Sequence, residues 1–225
     1  MLKIKIYSGL SLSQQTVKKY LPQALFSKPI KRNDLYDDIK KGIHVIGIID
    51  GEFLQNLSVS PTEIQDAMRC GLSIYGASSM GAMRAAELSQ FGMIGCGSIF
   101  EQISKDPYFQ DDKLGQIFYE DLSHVSMPFM DFFLGIKDLV QRRIVSPKES
   151  SEIVQLYKKL HFSERTYAAL KSQIQKKHNS ARLFLAFDNA KKHIISQKNK
   201  DAILMLKQIK SSIKQNQVIL QSFKY

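Results

Sequence analysis

Residues 72–93 read LSIYGASSMGAMRAAELSQFGM, and their pattern is the strongest indication of the fold. An apolar run ends at Tyr75, small residues follow over 76–81, and strong helix formers begin at Ala82. This order predicts a strand, a sharp turn and a helix. We therefore expect an elbow where small residues let the backbone approach a ligand closely. The unpaired amides at the start of its helix could bind an anion or an oxyanion.

The chain before the elbow alternates between strand and helix patterns. Residues 2–7 and 43–49 are apolar runs, and the second is nearly continuous, as expected of a buried parallel strand. Helix patterns cover 13–20 and 61–69, the second opened by Ser60 as cap. The alternation predicts an α/β fold of Rossmann-like type, with a parallel sheet flanked by helices.

Strand patterns disappear in the C-terminal part, where Ser146 and Glu149 predict a capping box at the start of a helix. The predicted organisation is an α/β core domain over 1–135 and an all-helical, lysine-rich region over 136–225. Near the C-terminus, an apolar stripe predicts a packing face or, less often, a contact with a partner. It comprises Ile203, Leu206, Ile209 and Ile213.

The positive charge is concentrated at the C-terminal end. Residues 171–225 hold 12 of the 32 Lys and Arg residues but, of the 21 acids, only Asp188 and Asp201, so they carry most of the net charge of +11. Two interpretations stay open: a solvated helical face, or a docking surface for an acidic partner or a polyanion. Arg182 is the single arginine there and no nucleic-acid motif is present, which disfavours a nucleic acid partner.

Composition narrows the class of protein. With 225 residues, 44% of them hydrophobic, the chain is long enough for one sizeable core. No apolar run reaches the roughly 20 residues that span a bilayer, and the N-terminus lacks the apolar segment of a secretory signal. We therefore expect a cytoplasmic protein without a membrane partner. Cys70, Cys96 and the five histidines form no metal-binding pattern, so no metal or cofactor is expected. Homo-oligomer formation stays open.

Three loops are expected to form one pocket, because ligands of parallel sheets bind beyond the carboxyl ends of the strands. The loops follow the first, third and fourth predicted strands. The pocket would contain the first amides after Gly81 together with Ser11, Asp50, Gly51, Ser78 and Ser79.

Ser79 is the candidate nucleophile. Residues 77–81 are a relaxed form of the hydrolase elbow with Ser79 at its centre, and helix-start amides could hold the developing oxyanion. The alternative is that Ser78 and Ser79 are helix caps and have no part in chemistry.

Ser79 would need a base, and His124 is the histidine whose position best suits that role. Asp50 follows a buried apolar strand, where an unpaired carboxylate is costly. It could act as base, orient a base, pair with Arg84 or simply form a turn. Arg84 and Glu87 are three residues apart and could pair with each other, or Arg84 could bind a terminal carboxylate or thiocarboxylate. The glycines at 95 and 97 are interpreted as a turn with close packing.

The elbow resembles the signature of the TfuA-like family, roughly GASSMGALRAAELxxFGMxGxG, which stands here over 76–97 as GASSMGAMRAAELSQFGMIGCG. The similarity extends over about residues 4–170. Weaker blocks follow the family's order at residues 9–12, 48–53, 111–112, 126–128 and 164–166.

The resemblance implies a partner of a YcaO enzyme in thioamide formation. Such a protein is expected to hydrolyse the thiocarboxylated C-terminus of a ThiS-type sulfur-carrier protein and to release sulfide, which is acyl-transfer chemistry. Two family histidines are missing, since the chain has other residues at 61–64 and 118–119. The base could then be His124, Asp50 or a lysine. The alternative function is a non-catalytic protein that docks on a YcaO enzyme and activates it. A phosphate-binding or nucleotide-binding enzyme is a third, weaker interpretation.

Overall fold

The computed structural model describes residues 2–53, 57–117, 125–177 and 180–222, with side chains up to residue 215 except at 180. Within these ranges the strands are β1 (Ile4–Tyr7), β2 (Leu25–Ser27), β3 (Val45–Ile48), β4 (Ser73–Ala77) and β5 (Ile94–Cys96). The helices are α1 (Gln14–Tyr20), α2 (Asp34–Lys40), α3 (Pro61–Arg69), α4 (Met80–Leu88), α5 (Ser98–Ser104), α6 (Phe129–Gln141), α7 (Pro147–Lys158), α8 (Tyr167–Gln175), α9 (Ser180–His193) and α10 (Gln197–Ser222). Single 3-10 turns lie at Ser89–Phe91, Asp111–Lys113 and Phe162–Glu164.

The strands form one parallel sheet in the order β2-β1-β3-β4-β5. Helices flank this sheet and the C-terminal region is all helical, so the predicted fold class is confirmed. The direction of winding reverses between β1 and β3. In doubly wound sheets this reversal opens a crevice at the carboxyl ends of the strands, where ligands bind.

Helices α1 and α10 cover one face of the sheet. Val17 of α1 belongs to the same buried cluster as Leu206 and Ile209 of α10, together with Ile6 and Val45 of the strands. The apolar stripe predicted on the C-terminal helix is therefore a packing face against the sheet. This burial removes apolar side chains from water, which is the main favourable term in folding.

Helices α2, α3 and α4 cover the opposite face. Leu35, Ile64 and Ala85, one from each helix, share a buried cluster with Ile46 and Ile74 of the strands. Because β3 is buried on both faces, it needs a continuous apolar sequence, and Val45–Ile48 reads VIGI.

Two predicted helix starts are confirmed. The hydroxyl of Ser60 accepts the amide of Glu63, and Pro61 is the first residue of α3. The capping box of α7 forms between Ser146 and Glu149. Each cap satisfies an amide that the helix itself cannot.

The chain divides into two compact units, Met1–Phe109 with Lys198–Tyr225, and Gln110–Gln197. The first unit thus groups α10 with the sheet. Helical periodicity shows that a helix has an apolar face but not which surface covers it. No helix in the described ranges is long and apolar enough to cross a membrane.

Strand β5 was not predicted. Gly95, expected in a turn, lies inside this strand and pairs with Gly76 of β4. A strand of three residues that contains a glycine has too little alternation to be recognised. The expected close packing is present, because a Cβ on Gly95 would lie 2.2 Å from the ring of Phe100.

Candidate functional site

The loops that follow β1, β3 and β4 meet at the carboxyl edge of the sheet, as the sequence predicted. The carboxylate of Asp50, just beyond β3, accepts the hydroxyl of Ser11 at 2.6 Å. Gly51 lies against α4, since a Cβ there would be 2.7 Å from Cγ of Met80. The structure therefore brings the Ser11, Asp50 and Gly51 positions next to the elbow.

Asp50 fixes the loop after β1. Its Oδ2 accepts the amides of Gly9 and Ser11 at 2.8 and 3.0 Å and the hydroxyl of Ser8 at 3.3 Å, while Oδ1 accepts Ser11 Oγ. Both oxygens of this buried carboxylate are engaged. Charge-assisted hydrogen bonds of this kind are stronger than neutral ones, so Asp50 holds the loop in place.

The elbow consists of Ser78 and Ser79, between the end of β4 and the start of α4. Ser78 has φ 69°, a left-handed conformation that residues other than glycine rarely adopt. It is fully buried, and its hydroxyl donates to the carbonyl of Lys198 in α10. Backbone strain of this kind persists where the surrounding structure enforces it, and it clusters at functional sites.

Ser79 directly precedes α4, but its side chain does not cap the helix. Its side chain forms no capping hydrogen bond, and the residue is 3% exposed. The capping hydrogen bond that the sequence allowed for Ser79 is therefore not formed. The strained residue of the turn is therefore Ser78, and Ser79 is the last residue before the helix.

Two glycines make the elbow compact. A Cβ on Gly81 would lie 1.8 Å from the carbonyl oxygen of Ile48, and one on Gly76 would lie 2.1 Å from the carbonyl oxygen of Gly81. Real Cβ atoms do not approach backbone this closely, so α4 can pack on β3 and β4 only with glycine at both positions. This contact explains the glycines at 76 and 81 in the signature.

Within the described ranges, two of the four backbone amides from Ser79 to Ala82 donate to a backbone carbonyl and two do not. The amides of Ser79 and Gly81 donate to the carbonyl of Ile49, both at 3.3 Å. Among the described residues, the amides of Met80 and Ala82 have no acceptor. These two, together with the positive end of the α4 dipole, are the groups that could stabilise an oxyanion.

Arg84 pairs with its neighbour and fixes a loop. Its guanidinium contacts both carboxylate oxygens of Glu87, at 3.0 and 2.7 Å, and also donates to the carbonyl of Val59 and the hydroxyl of Ser58. Of the two roles that the sequence left open, the pair within α4 is formed. Arg84 thereby ties α4 to the loop before α3.

The first turn of α10 forms part of the site and was not predicted. Besides the Lys198 carbonyl, Asn199 donates to the carbonyl of Ser11 at 3.2 Å. The carboxylate of Asp201 accepts the amides of Ser98 and Ile99 at 3.1 and 2.8 Å and so caps α5. The one signal in the sequence was that Asp201 is one of two acids among residues 171–225.

His124, the candidate base, lies outside the described residues. His44 lies just before β3, where its Nδ1 accepts the amide of Lys3 just before β1, at the edge of the sheet opposite the elbow. Among the described residues, no group of three or more His, Cys, Asp or Glu could hold a metal ion.

The sequence model of the TfuA-like protein family matches residues 50–166, more than half of the chain. The chain belongs to the TfuA-like family. The match includes Asp50, the elbow and Arg84 of this TfuA-like protein, while Ser11 and α10 lie outside it. No curated protein matched the chain in a separate search.

Proposed function

We propose that this TfuA-like protein is the partner of a YcaO enzyme in thioamide formation. In this role it hydrolyses the thiocarboxylated C-terminus of a ThiS-type sulfur carrier and releases sulfide. The elbow supports the proposal: Ser79 directly precedes α4, its hydroxyl is not used as a cap, and the Met80 and Ala82 amides of the same helix start have no acceptor among the described residues.

The chemistry is an acyl transfer in two steps. Ser79 Oγ attacks the carbonyl carbon of the terminal glycine, and the Met80 and Ala82 amides stabilise the oxyanion. The C–S bond then breaks, and sulfide leaves with the electron pair of that bond and takes up the proton that Ser79 loses. Water next cleaves the serine ester and restores both the Ser79 hydroxyl and a carrier that ends in an ordinary carboxylate. The overall reaction converts a thiocarboxylate and water into a carboxylate and hydrogen sulfide.

The Ser79 proton needs an acceptor. His124 stays the proposed base on the evidence of its sequence position. Asp50 is less suited, because both of its oxygens hold the loop after β1. A lysine is the third option, and Lys198, 5% exposed, lies in the α10 turn that contacts Ser78.

The second candidate function is a non-catalytic activator that docks on the YcaO enzyme. It is favoured by the closure of the elbow, since Ser78 and Ser79 are both buried and the first turn of α10 contacts Ser78. Arg84, proposed as a carboxylate ligand, is also committed to internal partners.

One experiment separates the two functions. Purified protein is mixed with a thiocarboxylated ThiS-type carrier, and released sulfide and the mass of the carrier C-terminus are measured. Hydrolysis predicts sulfide together with conversion of the thiocarboxylate to a carboxylate, in the absence of any YcaO enzyme. An activator leaves the carrier unchanged and raises only the rate of an added YcaO enzyme.

A further inference from the structure

Three loops form one continuous surface beside the elbow. A Cβ on Gly9 would lie 2.7 Å from Cγ of Pro29, which joins the loops after β1 and β2. The amide of Ile30 donates to the carbonyl of Asp50 at 2.9 Å, and the amide of Arg32 to the carbonyl of Leu57 at 2.7 Å, which joins the loops after β2 and β3. We call this surface the loop rim. It consists of residues 8–11, 28–32, 51–53 and 57–59.

The loop rim carries exposed apolar side chains. Leu10, Phe53 and Leu57 are 44%, 36% and 45% exposed, and each belongs to one of the joined loops. Single exposed apolar residues are ordinary, but a group on adjoining loops next to a candidate site is typical of a contact surface.

The charge of the loop rim is positive. Lys28, Lys31 and Arg32 are exposed, whereas Glu52 is the exposed acid of the same segments. Asp34, which accepts the amide of Lys31, lies just beyond them. A positive surface around an apolar contact fits an acidic protein partner and speeds its encounter.

The loop rim adjoins the candidate nucleophile. Its Gly51 packs on Met80, and the carbonyl of Ile49 accepts the amide of Ser79. Exposed lysines of α10 also lie beyond the elbow, along the helix. Lys207 and Lys214 follow the elbow contact at Lys198 by about 14 and about 24 Å at 1.5 Å per residue.

We propose that the loop rim is the docking surface for the sulfur carrier, which would present an acidic face to it and whose C-terminal tail would then reach Ser79. The choice of the carrier as occupant rests on the proposed function. The surface itself rests on the joined loops, their apolar residues and their charge. The lysine-rich C-terminal quarter is then a solvated face with respect to the carrier.

The test measures binding without hydrolysis. A ThiS-type carrier ending in an ordinary carboxylate is titrated with the full chain and followed by fluorescence anisotropy. The double variant Lys28→Glu with Lys31→Glu should weaken binding about tenfold or more, since charges at an interface govern encounter. The matched control, Lys210→Glu with Lys214→Glu, changes the charge by the same amount on exposed α10 positions and should bind like the wild type.

A second pair of variants tests the apolar contact. Leu10→Ser should weaken binding, whereas Leu2→Ser should not, because Leu2 is 42% exposed but precedes β1, at the amino end of the strand. Sulfide release from thioacetate, which has no protein body, should be the same in all variants.

The outcomes are distinct. Equal binding by the loop-rim variants and the wild type overturns the proposal, as does a wild-type protein that does not bind the carrier. A loss confined to the α10 control moves the docking surface to the C-terminal quarter. Normal binding of the carrier with no sulfide release leaves the docking surface in place and contradicts the proposed hydrolysis instead.

Discussion

The hydroxyl of Ser78 donates to the backbone carbonyl of Lys198, a residue 120 positions later in the chain. This hydrogen bond joins the strained residue of the elbow to the first turn of α10. Asn199 and Asp201 in the same turn contact the loop after β1 and the start of α5. The C-terminal helix therefore serves the site as well as the core.

Asp201→Ala should destabilise the protein. Its buried carboxylate accepts the amides of Ser98 and Ile99, and its removal leaves both without that acceptor. We expect a loss of about 2 kcal/mol in the free energy of unfolding, the upper range for a lost helix cap. Denaturant titration measures it. Asp188→Ala is the matched control, because this acid pairs with Lys192 on an exposed surface and its loss should have little effect. Equal effects of the two substitutions would contradict the capping role.

Gly81→Ala should disrupt the elbow. The added Cβ would lie 1.8 Å from the carbonyl oxygen of Ile48, so either β3 or α4 must shift. Overpacking typically costs about 1–3 kcal/mol, and a clash with backbone should fall at the upper end of that range. Thermal unfolding should show a large drop in Tm. Gly115→Ala is the control, since its nearest neighbour would be an ordinary 3.4 Å away. An unchanged Tm for Gly81→Ala would mean that α4 does not pack on β3 as described.

Asp50→Asn should loosen the loop after β1. An amide nitrogen in place of Oδ2 cannot accept the amides of Gly9 and Ser11, so these donors lose their partner. The expected loss is about 1–3 kcal/mol of unfolding free energy, the cost of unsatisfied buried donors. Both denaturant titration and sulfide release are measured. Full stability with no activity would instead assign Asp50 to the chemistry.

Arg84→Lys should weaken the tie between α4 and the loop before α3. A lysine cannot contact Glu87, Val59 and Ser58 together, because it lacks the planar fork of the guanidinium. We expect a fall in stability of about 1 kcal/mol, the net value of a typical hydrogen bond. Arg69→Lys, in an exposed pair with Asp66 of the same spacing, should be neutral. A higher KM for the carrier at unchanged stability would instead support direct binding of the carrier terminus by Arg84.

The elbow could be predicted because its signals are local. A strand, a small-residue turn and a helix follow one another within residues 72–93, and their order fixes the geometry. The convergence of the loops at Ser11 and Asp50 was also predictable, since parallel strands place their carboxyl ends at one edge.

The role of α10 could not be predicted, because it depends on contacts between distant parts of the chain. Lys198 belongs to the lysine-rich region by sequence, yet it is buried at the elbow. Likewise, the spacing of Arg84 and Glu87 allowed their pair, but nothing in the sequence indicated Val59 and Ser58 as further partners.

The role of Ser79 as nucleophile can be measured through sulfide release by serine variants. Wild type, Ser79→Ala and Ser78→Ala are each mixed with a thiocarboxylated ThiS-type carrier, and the initial rate of sulfide release and the Tm are recorded. Ser79→Ala should abolish release with stability changed by less than about 1 kcal/mol, because Ser79 does not cap α4. Ser78→Ala should lower the Tm, since it loses the Lys198 contact, yet still release sulfide at a temperature where it is folded. Release at the wild-type rate by Ser79→Ala would rule out Ser79 as the nucleophile. The nucleophile would then be Ser78 if Ser78→Ala were inactive, and hydrolysis by this elbow would be excluded if both variants were active.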